Sequence, residues 1–130
     1  MPLKKVLVVD DEVHIVHVVA IKLRNNGYEA IVAGNGAEAY ELACKEKPDI
    51  IIADYMMPVM DGLQLIEKLR DTEQTKNIPI VLLTARNFAI DDERQQRLRI
   101  SECITKPFSP KELLRTIEDI IYRGAMVAVT

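Results

Sequence analysis

The sequence predicts an α/β sandwich, a five-stranded parallel sheet covered by helices on both faces. Two observations carry that prediction. Five short apolar runs recur along the 130 residues, and the segments between them are longer, mixed in polarity and spaced as helices. A third observation says where chemistry would sit: the runs end in carboxylates, a hydroxyl and an ammonium.

The first run is Val6 to Val9, and a continuous Val/Leu run suits a strand buried on both faces. Residues 11–26 read as helix 1, with Asp10 or Asp11 available as N-cap and Asn26-Gly27 as the stop. Ile15, Val18, Val19 and Leu23 form its expected core stripe. Val13, Val16 and Ala20 form a second stripe, which is either the edge of a wide core face or a docking surface. Tyr28 to Ala33 is a weaker second run. Residues 36–46, with Ala37, Ala39, Leu42 and Ala43, read as helix 2 and stop before Pro48. Ile50 to Ala53 is the third run, followed by helix 3 over 62–72, which carries Leu63, Leu65, Ile66 and Leu69. Ile80 to Leu83 is the fourth run. The polar, Arg- and Gln-rich segment 88–99 reads as helix 4, Glu102 to Thr105 as a short fifth strand, and 110–123 as helix 5, with Pro110 in its first turn. Strict alternation of this kind implies three layers joined by right-handed crossovers.

Composition narrows the function classes. Apolar residues make up 48% and charged residues 28%, which is globular and not disordered. With 17 basic and 20 acidic side chains the net charge is -3, so the chain carries no basic footprint for direct nucleic-acid or anionic-membrane contact. Cys44 and Cys103 show neither metal-ligand spacing nor a disulfide framework, which suits a reducing compartment. The start of the chain does not resemble a signal peptide, and no apolar stretch approaches about 18 residues. A cytoplasmic location is the expectation.

In a doubly wound sandwich the reactive site lies at the carboxyl ends of the strands. There stand Asp10, Asp11 and Glu12 after strand 1, Asp54 at the end of strand 3, Thr84 at the end of strand 4, and Lys106 after strand 5. Carboxylates brought close repel one another unless a cation joins them, and an all-oxygen ligand set suits Mg²⁺. A lysine on the same rim supplies a point charge for a phosphate oxygen, and Thr84 can donate to another. Each residue alone has a plainer reading, as helix cap, loop acid, core threonine or solvated lysine. Their fall at successive strand ends of one topology is what gives them weight. His14 and His17, one turn apart, read as an exposed polar face. Met56, Met57 and Met60 read as loop and core fillers.

Val8-Val9-Asp10-Asp11-Glu12, Asp54 through Gly62, Leu83-Thr84-Ala85 and Lys106-Pro107-Phe108 resemble, in order and spacing, the four motifs of receiver domains of the bacterial response-regulator type. The resemblance spans roughly residues 4–123. It implies a receiver domain over 1–123 with a C-terminal tail over 124–130, and a flavodoxin-like sheet of order 2-1-3-4-5. It implies that Asp54 accepts a phosphoryl group from a sensor histidine kinase or histidine phosphotransfer protein. Mg²⁺ would be bound by Asp10, Asp11, Asp54 and the backbone carbonyl of Met56, while Thr84 and Lys106 would contact the phosphoryl group. Pro107 resembles the family's cis-proline. The only chemistry implied is self-phosphorylation and self-dephosphorylation at Asp54. The implied outputs are a downstream effector or fused output domain, and a second copy of the chain on phosphorylation. The tail is too short to form an output domain, so the chain is either a stand-alone regulator or a receiver cut from a longer protein.

Two rival readings compete with this one. A phosphorylation-independent receiver-like interaction module predicts a damaged acid site, and this one is intact. An enzyme on the same fold lacks its signature here: there is no Ser/Thr/Gly-rich phosphate loop after strand 1, and Asp54-Tyr55-Met56 lacks the second acid of a haloacid-dehalogenase-type pair. The sequence also departs from the family. Cys103 stands where a Tyr or Phe usually relays the signal, and Arg99 stands where Gly often ends helix 4, which suggests a different helix end or a shorter helix. Met56 and Arg86 hold the positions that flank the attacking water and tune phosphoryl lifetime.

Overall fold

A computed structural model of the chain describes residues 3–85 and 90–129, with side-chain surroundings given as far as Tyr122. Arg86 and the loop continuing to Ala89 lie outside the described residues. In chain order the elements are β1 (Lys5–Val9), α1 (Val13–Arg24), β2 (Glu29–Ala33), α2 (Gly36–Glu46), β3 (Ile50–Asp54), α3 (Gly62–Arg70), β4 (Ile80–Thr84), α4 (Asp92–Arg97), β5 (Glu102–Thr105) and α5 (Pro110–Val129). All four strand pairings are parallel and the order is β2-β1-β3-β4-β5, as the resemblance implied.

The period of two in the strands divides the core into two halves. Leu7, Val9, Ile51, Ala53, Ile80 and Leu82 face α2, α3 and Leu98 at the end of α4. Val6, Val8, Ile50, Ile52, Val81 and Leu83 face α1 and α5. Strands β1, β3 and β4 therefore have essentially no exposed side chain beyond Lys5 at the rim, which is why they read as continuous apolar runs.

Several boundaries and faces differ from expectation. Helix α1 begins at Val13 behind Glu12, so neither Asp10 nor Asp11 is its N-cap. Its buried face is Val16, Val19, Ala20 and Leu23, while Val13, Val18 and Ile21 are exposed and Ile15 is half-buried. This corrects the two predicted stripes: Val16 and Ala20 belong to the core and Val18 does not. Positions 16, 19, 20 and 23 follow the 3-4-7 spacing of a single stripe, and Val18 lies about 100° around the helix from Val19. Helix α3 stops at Arg70, short of 72, and α5 runs past Arg123 to Val129. Helix α4 is shorter than 88–99 because Asp91 caps it, accepting the Arg94 N–H at 2.7 Å.

The end of α4 is not displaced by the missing glycine. Arg99 itself takes the left-handed conformation, at φ 54°, and the hydrogen bonds Arg99 N→Gln96 O and Ile100 N→Gln95 O complete a Schellman cap. Its guanidinium donates to Lys76 O at 2.7 Å and Asn77 Oδ1 at 3.3 Å. Beside it, the Arg70 guanidinium donates to the carbonyls of Leu98, Arg99, Lys76 and Ile78. Burial and the neighbouring charge of Arg99 lower the Arg70 pKa to about 10. The positive C-terminal region of α4 is thus tied to α3 and to the loop before β4, in keeping with cations at a helix C-terminus.

Candidate functional site

Register brings the predicted residues together. Val9 pairs with Ala53, so Asp10 and Asp54, each one step further on, stand side by side at adjacent strand ends. Thr84 pairs with Thr105, which places Lys106 one step beyond Thr84 on the neighbouring strand. Backbone bonds fix these ends: Asp10 N→Ala33 O at 3.2 Å, Tyr55 N→Leu83 O at 2.8 Å and Lys106 N→Thr84 O at 2.7 Å. The Lys106-Pro107 peptide is cis.

Behind Asp54 the chain turns sharply into α3. Gly62 N donates to Tyr55 O, and a Cβ at Gly62 would lie 2.6 Å from the carbonyl oxygen of Asp54, so only glycine allows this approach. Asp61 caps α3 in a reciprocal capping box with Gln64. Met57 is buried as the loop's apolar anchor and Met60 packs against Gly36, whereas Met56 is exposed. His14 and His17 lie on the exposed face of α1.

Carboxylate oxygens of Asp10, Asp11 and Asp54 all lie within 4.8 Å of one another. Asp10 and Asp54 are buried and Asp11 is exposed. Lys106 Nζ is 3.0 Å from Asp10 Oδ2, 3.2 Å from Asp54 Oδ1 and 3.4 Å from Glu12 Oε1. Burial, reinforced by the charge of Asp10, raises the Asp54 pKa from 3.8 to about 6, against the opposing pull of Lys106. For Lys106, burial acts to lower the pKa, but its hydrogen bond to Asp10 and the charges of Asp54 and Asp10 outweigh it and hold the ammonium above its ordinary value. Two buried carboxylates that share one ammonium, Asp10 and Asp54, and the exposed Asp11 form an oxygen-only donor set with excess negative charge. That chemistry fits a hard divalent cation such as Mg²⁺.

Thr84 reaches the predicted strand end, but its buried hydroxyl is directed to the Ile104 carbonyl at 3.5 Å. Cys103 is half-buried against the α2/α3 side of the core, where burial and then Glu102 raise its thiol pKa. The cluster opens into a groove of about 700 Å³ bounded by Met56, Ile15, Val18, Pro107, Phe108 and Pro110. Sequence reasoning assigned no part to Arg70, to the close approach at Gly62 or to Val59. The Asp61-x-x-Gln64 spacing could have revealed the capping box, whereas the carbonyl partners of Arg70 carry no sequence signal.

Comparison with known proteins agrees with this geometry. The family model for the response regulator receiver domain matches residues 6–118. The chain is 39% identical over 125 residues to the alkaline phosphatase synthesis transcriptional regulatory protein PhoP of Bacillus subtilis, covering 96% of this chain and 51% of that protein. It is 38% identical over 122 residues to the phosphate regulon transcriptional regulatory protein PhoB of Pseudomonas aeruginosa, covering 92% and 52%. The chain thus spans about half the length of these relatives. Among solved structures it superposes on the chemotaxis response regulator CheY4 of Vibrio cholerae with TM-score 0.83 at 34% identity, covering 92% of this chain and 99% of that one. It matches the receiver domain of the Francisella response regulator 1452 with TM-score 0.80 at 34% identity, covering 94% and 98%. Among the described residues no helix is long and apolar enough to cross a membrane. The acidic cluster is compatible with a phosphoacceptor site and consistent with self-phosphorylation and self-dephosphorylation, and relatedness supports phosphorylation-based signalling. The chain belongs to the response regulator receiver domain family.

Proposed function

We propose that residues 1–123 are a phosphorylation switch, with 124–130 an extension, and that Asp54 is its phosphoacceptor. The observation that carries this reading is the sharing of Lys106 by two buried carboxylates, Asp10 and Asp54, at the mouth of a groove. An Asp54 carboxylate oxygen attacks the phosphorus of a phosphohistidine on a histidine kinase or phosphotransfer protein. The P–N bond breaks, its electron pair returns to the imidazole, and the phosphoryl group becomes an acyl phosphate on Asp54. Lys106 turns one of its N–H donors to a phosphoryl oxygen, and Thr84 turns its hydroxyl from Ile104 to another.

Asp10, Asp11, Asp54 and the Met56 carbonyl would hold Mg²⁺, whose bound charge neutralises the phosphoryl oxygens during transfer. The exposed Val18 and the neighbouring Ile15 line the groove through which a donor reaches Asp54. They, and not Val16, are the docking residues on α1. Met56 offers no side-chain donor or acceptor to orient attacking water, which favours a long-lived phosphoryl group. Output, through a separate effector, a domain on the same polypeptide or a second copy, is read on the face of α4, β5 and α5.

The test is acetyl phosphate with Mg²⁺. One phosphoryl group is expected on Asp54, none in Asp54→Asn, and weakened Mg²⁺ binding in Asp11→Ala. Phosphorylation that persists in Asp54→Asn refutes the assignment.

A further inference from the structure

Arg99 stands where the family often has glycine, and its place in the left-handed cap of α4 brings its side chain to the loop before β4. There it meets Arg70. Both guanidinium groups donate to one oxygen, the Lys76 carbonyl, at 2.9 Å from Arg70 and 2.7 Å from Arg99, so the nearest nitrogens of the two cations lie within about 6 Å of each other. Other cations of this region have carboxylates: Lys76 has Glu73 at 3.1 Å, and Arg94 and Arg97 share Glu67. Among the described residues neither Arg70 nor Arg99 pairs with one. The carbonyls around them satisfy hydrogen bonds but carry no net charge, and the C-terminal end of the six-residue α4 adds only a partial one. The charge of Arg99 is, after burial, what lowers the Arg70 pKa. The pair is short of negative charge.

The donors point the same way. A guanidinium has five N–H donors. Arg70 uses four, on the carbonyls of Leu98, Lys76, Ile78 and Arg99, and Arg99 uses two, on Lys76 O and Asn77 Oδ1. One donor of Arg70 and three of Arg99 stay uncommitted to the described residues, as does the Ser101 hydroxyl. Arg70, Lys76, Asn77, Arg99 and Ser101 line a cleft of about 170 Å³, about six times a water's share of the liquid. That is room for one oxyanion, and it is well below the roughly 300–1,000 Å³ of sites that enclose a whole small molecule. Two positive charges favour a dianion over a carboxylate, and donors on three side chains suit an ion with oxygens on several sides. We propose that Arg99, with Arg70 and Ser101, forms a binding site for a phosphate group, either the free ion or the end of a phosphate ester. The cleft lies where the chain enters β4 and β5, roughly 16 Å along the five-residue β4 from the strand end that holds Thr84. It is therefore separate from the Asp54 cluster and does not depend on the reading of that cluster.

The test is a titration of the protein with inorganic phosphate in chelated buffer, followed by amide resonances. Asn77 and Ser101 should shift saturably, beyond the effect of sodium chloride at equal ionic strength. Arg99→Gly removes the fork and suits φ 54°, so the cap of α4 persists. It should bind phosphate about tenfold more weakly, the loss expected for charge-assisted hydrogen bonds. Ser101→Ala leaves the cap untouched and should weaken binding about two- to tenfold. Glycerol 3-phosphate binding as well as inorganic phosphate assigns the site to a phosphate ester, and inorganic phosphate binding alone assigns it to the free ion. Shifts that sodium chloride reproduces, shifts confined to Thr84 and Lys106, or undiminished affinity in either variant overturn the proposal.

Discussion

Val59 is the most exposed point of the loop that follows Asp54, and its backbone is strained. Met60 N donates to Pro58 O at 2.7 Å, which closes a three-residue γ-turn with Val59 at its centre, at φ 70°. Positive φ marks the rarer, strained form of that turn. For an L-residue a sparsely populated conformation of this kind costs on the order of 1–3 kcal/mol, and the two branches on a valine Cβ make it a poor occupant. Nothing offsets the cost, because the side chain is fully exposed at 104% of its reference area. Val59→Asn should therefore stabilise the domain by about 1 kcal/mol, since asparagine is found at positive φ far more often than a β-branched residue. Val59→Gly should stabilise it less, because glycine's freedom in the unfolded chain takes back roughly 0.5–1 kcal/mol. Urea unfolding should show the midpoint rising in the order Val, Gly, Asn with an unchanged slope, and the melting temperature of the Asn variant should rise by about 3–5 °C. A midpoint that stays level or falls in Val59→Asn refutes the strain argument.

Three further outcomes follow from the structure. Arg70→Met should destabilise by about 2–4 kcal/mol and Arg70→Lys by nearly as much, because an ammonium cannot serve four carbonyls spread around a planar fork; urea midpoints within about 0.5 kcal/mol of the parent would contradict this. In chelated buffer, the folded-state pKa of Asp54, about 6, lies above its ordinary 3.8, so this group's contribution is fully present below pH 4 and is lost as pH rises to 6. Asp54→Asn should accordingly exceed the parent in stability by up to about 3 kcal/mol at pH 7, with the margin closing by pH 4, and a margin independent of pH would sink the assignment. Cys103→Tyr should leave Asp54 phosphorylation intact and enlarge the amide-shift difference between the two states over residues 90–105; an unchanged difference means that Cys103 is only a small core residue.

What could be read in the sequence, and what could not, divides along the range of the forces involved. Strands β1, β3 and β4 are buried on both faces, so burial writes itself into consecutive residues and the runs could be read directly. Because register is fixed by those runs, the meeting of Asp10, Asp54, Thr84 and Lys106 was legible too. Helix α1 was harder. Eight of its twelve residues are apolar, and with Val13, Ile15, Val16, Val18, Val19, Ala20, Ile21 and Leu23 on one short helix the pattern admits more than one stripe. The sheet, not the helix, selects the face. The end of α4 failed for another reason. Arg99 in place of glycine suggests a different helix end or a shorter helix; the helix is shorter, but bonds from Arg70 and from the Arg99 side chain, made across the fold, hold a non-glycine residue in the glycine conformation. The direction of the Thr84 hydroxyl toward Ile104 is likewise a contact between strands that no motif encodes.

The charge balance at the strand ends leaves this site short of positive charge. Asp10, Asp11, Glu12 and Asp54 face a single ammonium. The exposed pair, Asp11 and Glu12, can rely on water. Asp10 and Asp54 cannot, and only one part of their mutual repulsion is relieved by Lys106. A proton on Asp54 and a divalent cation among the three aspartates answer the same deficit, so each opposes the other. A phosphoryl group on Asp54 would add negative charge at the same place and deepen the deficit. The two buried carboxylates hold Lys106 in place by the cost of leaving them unpaired.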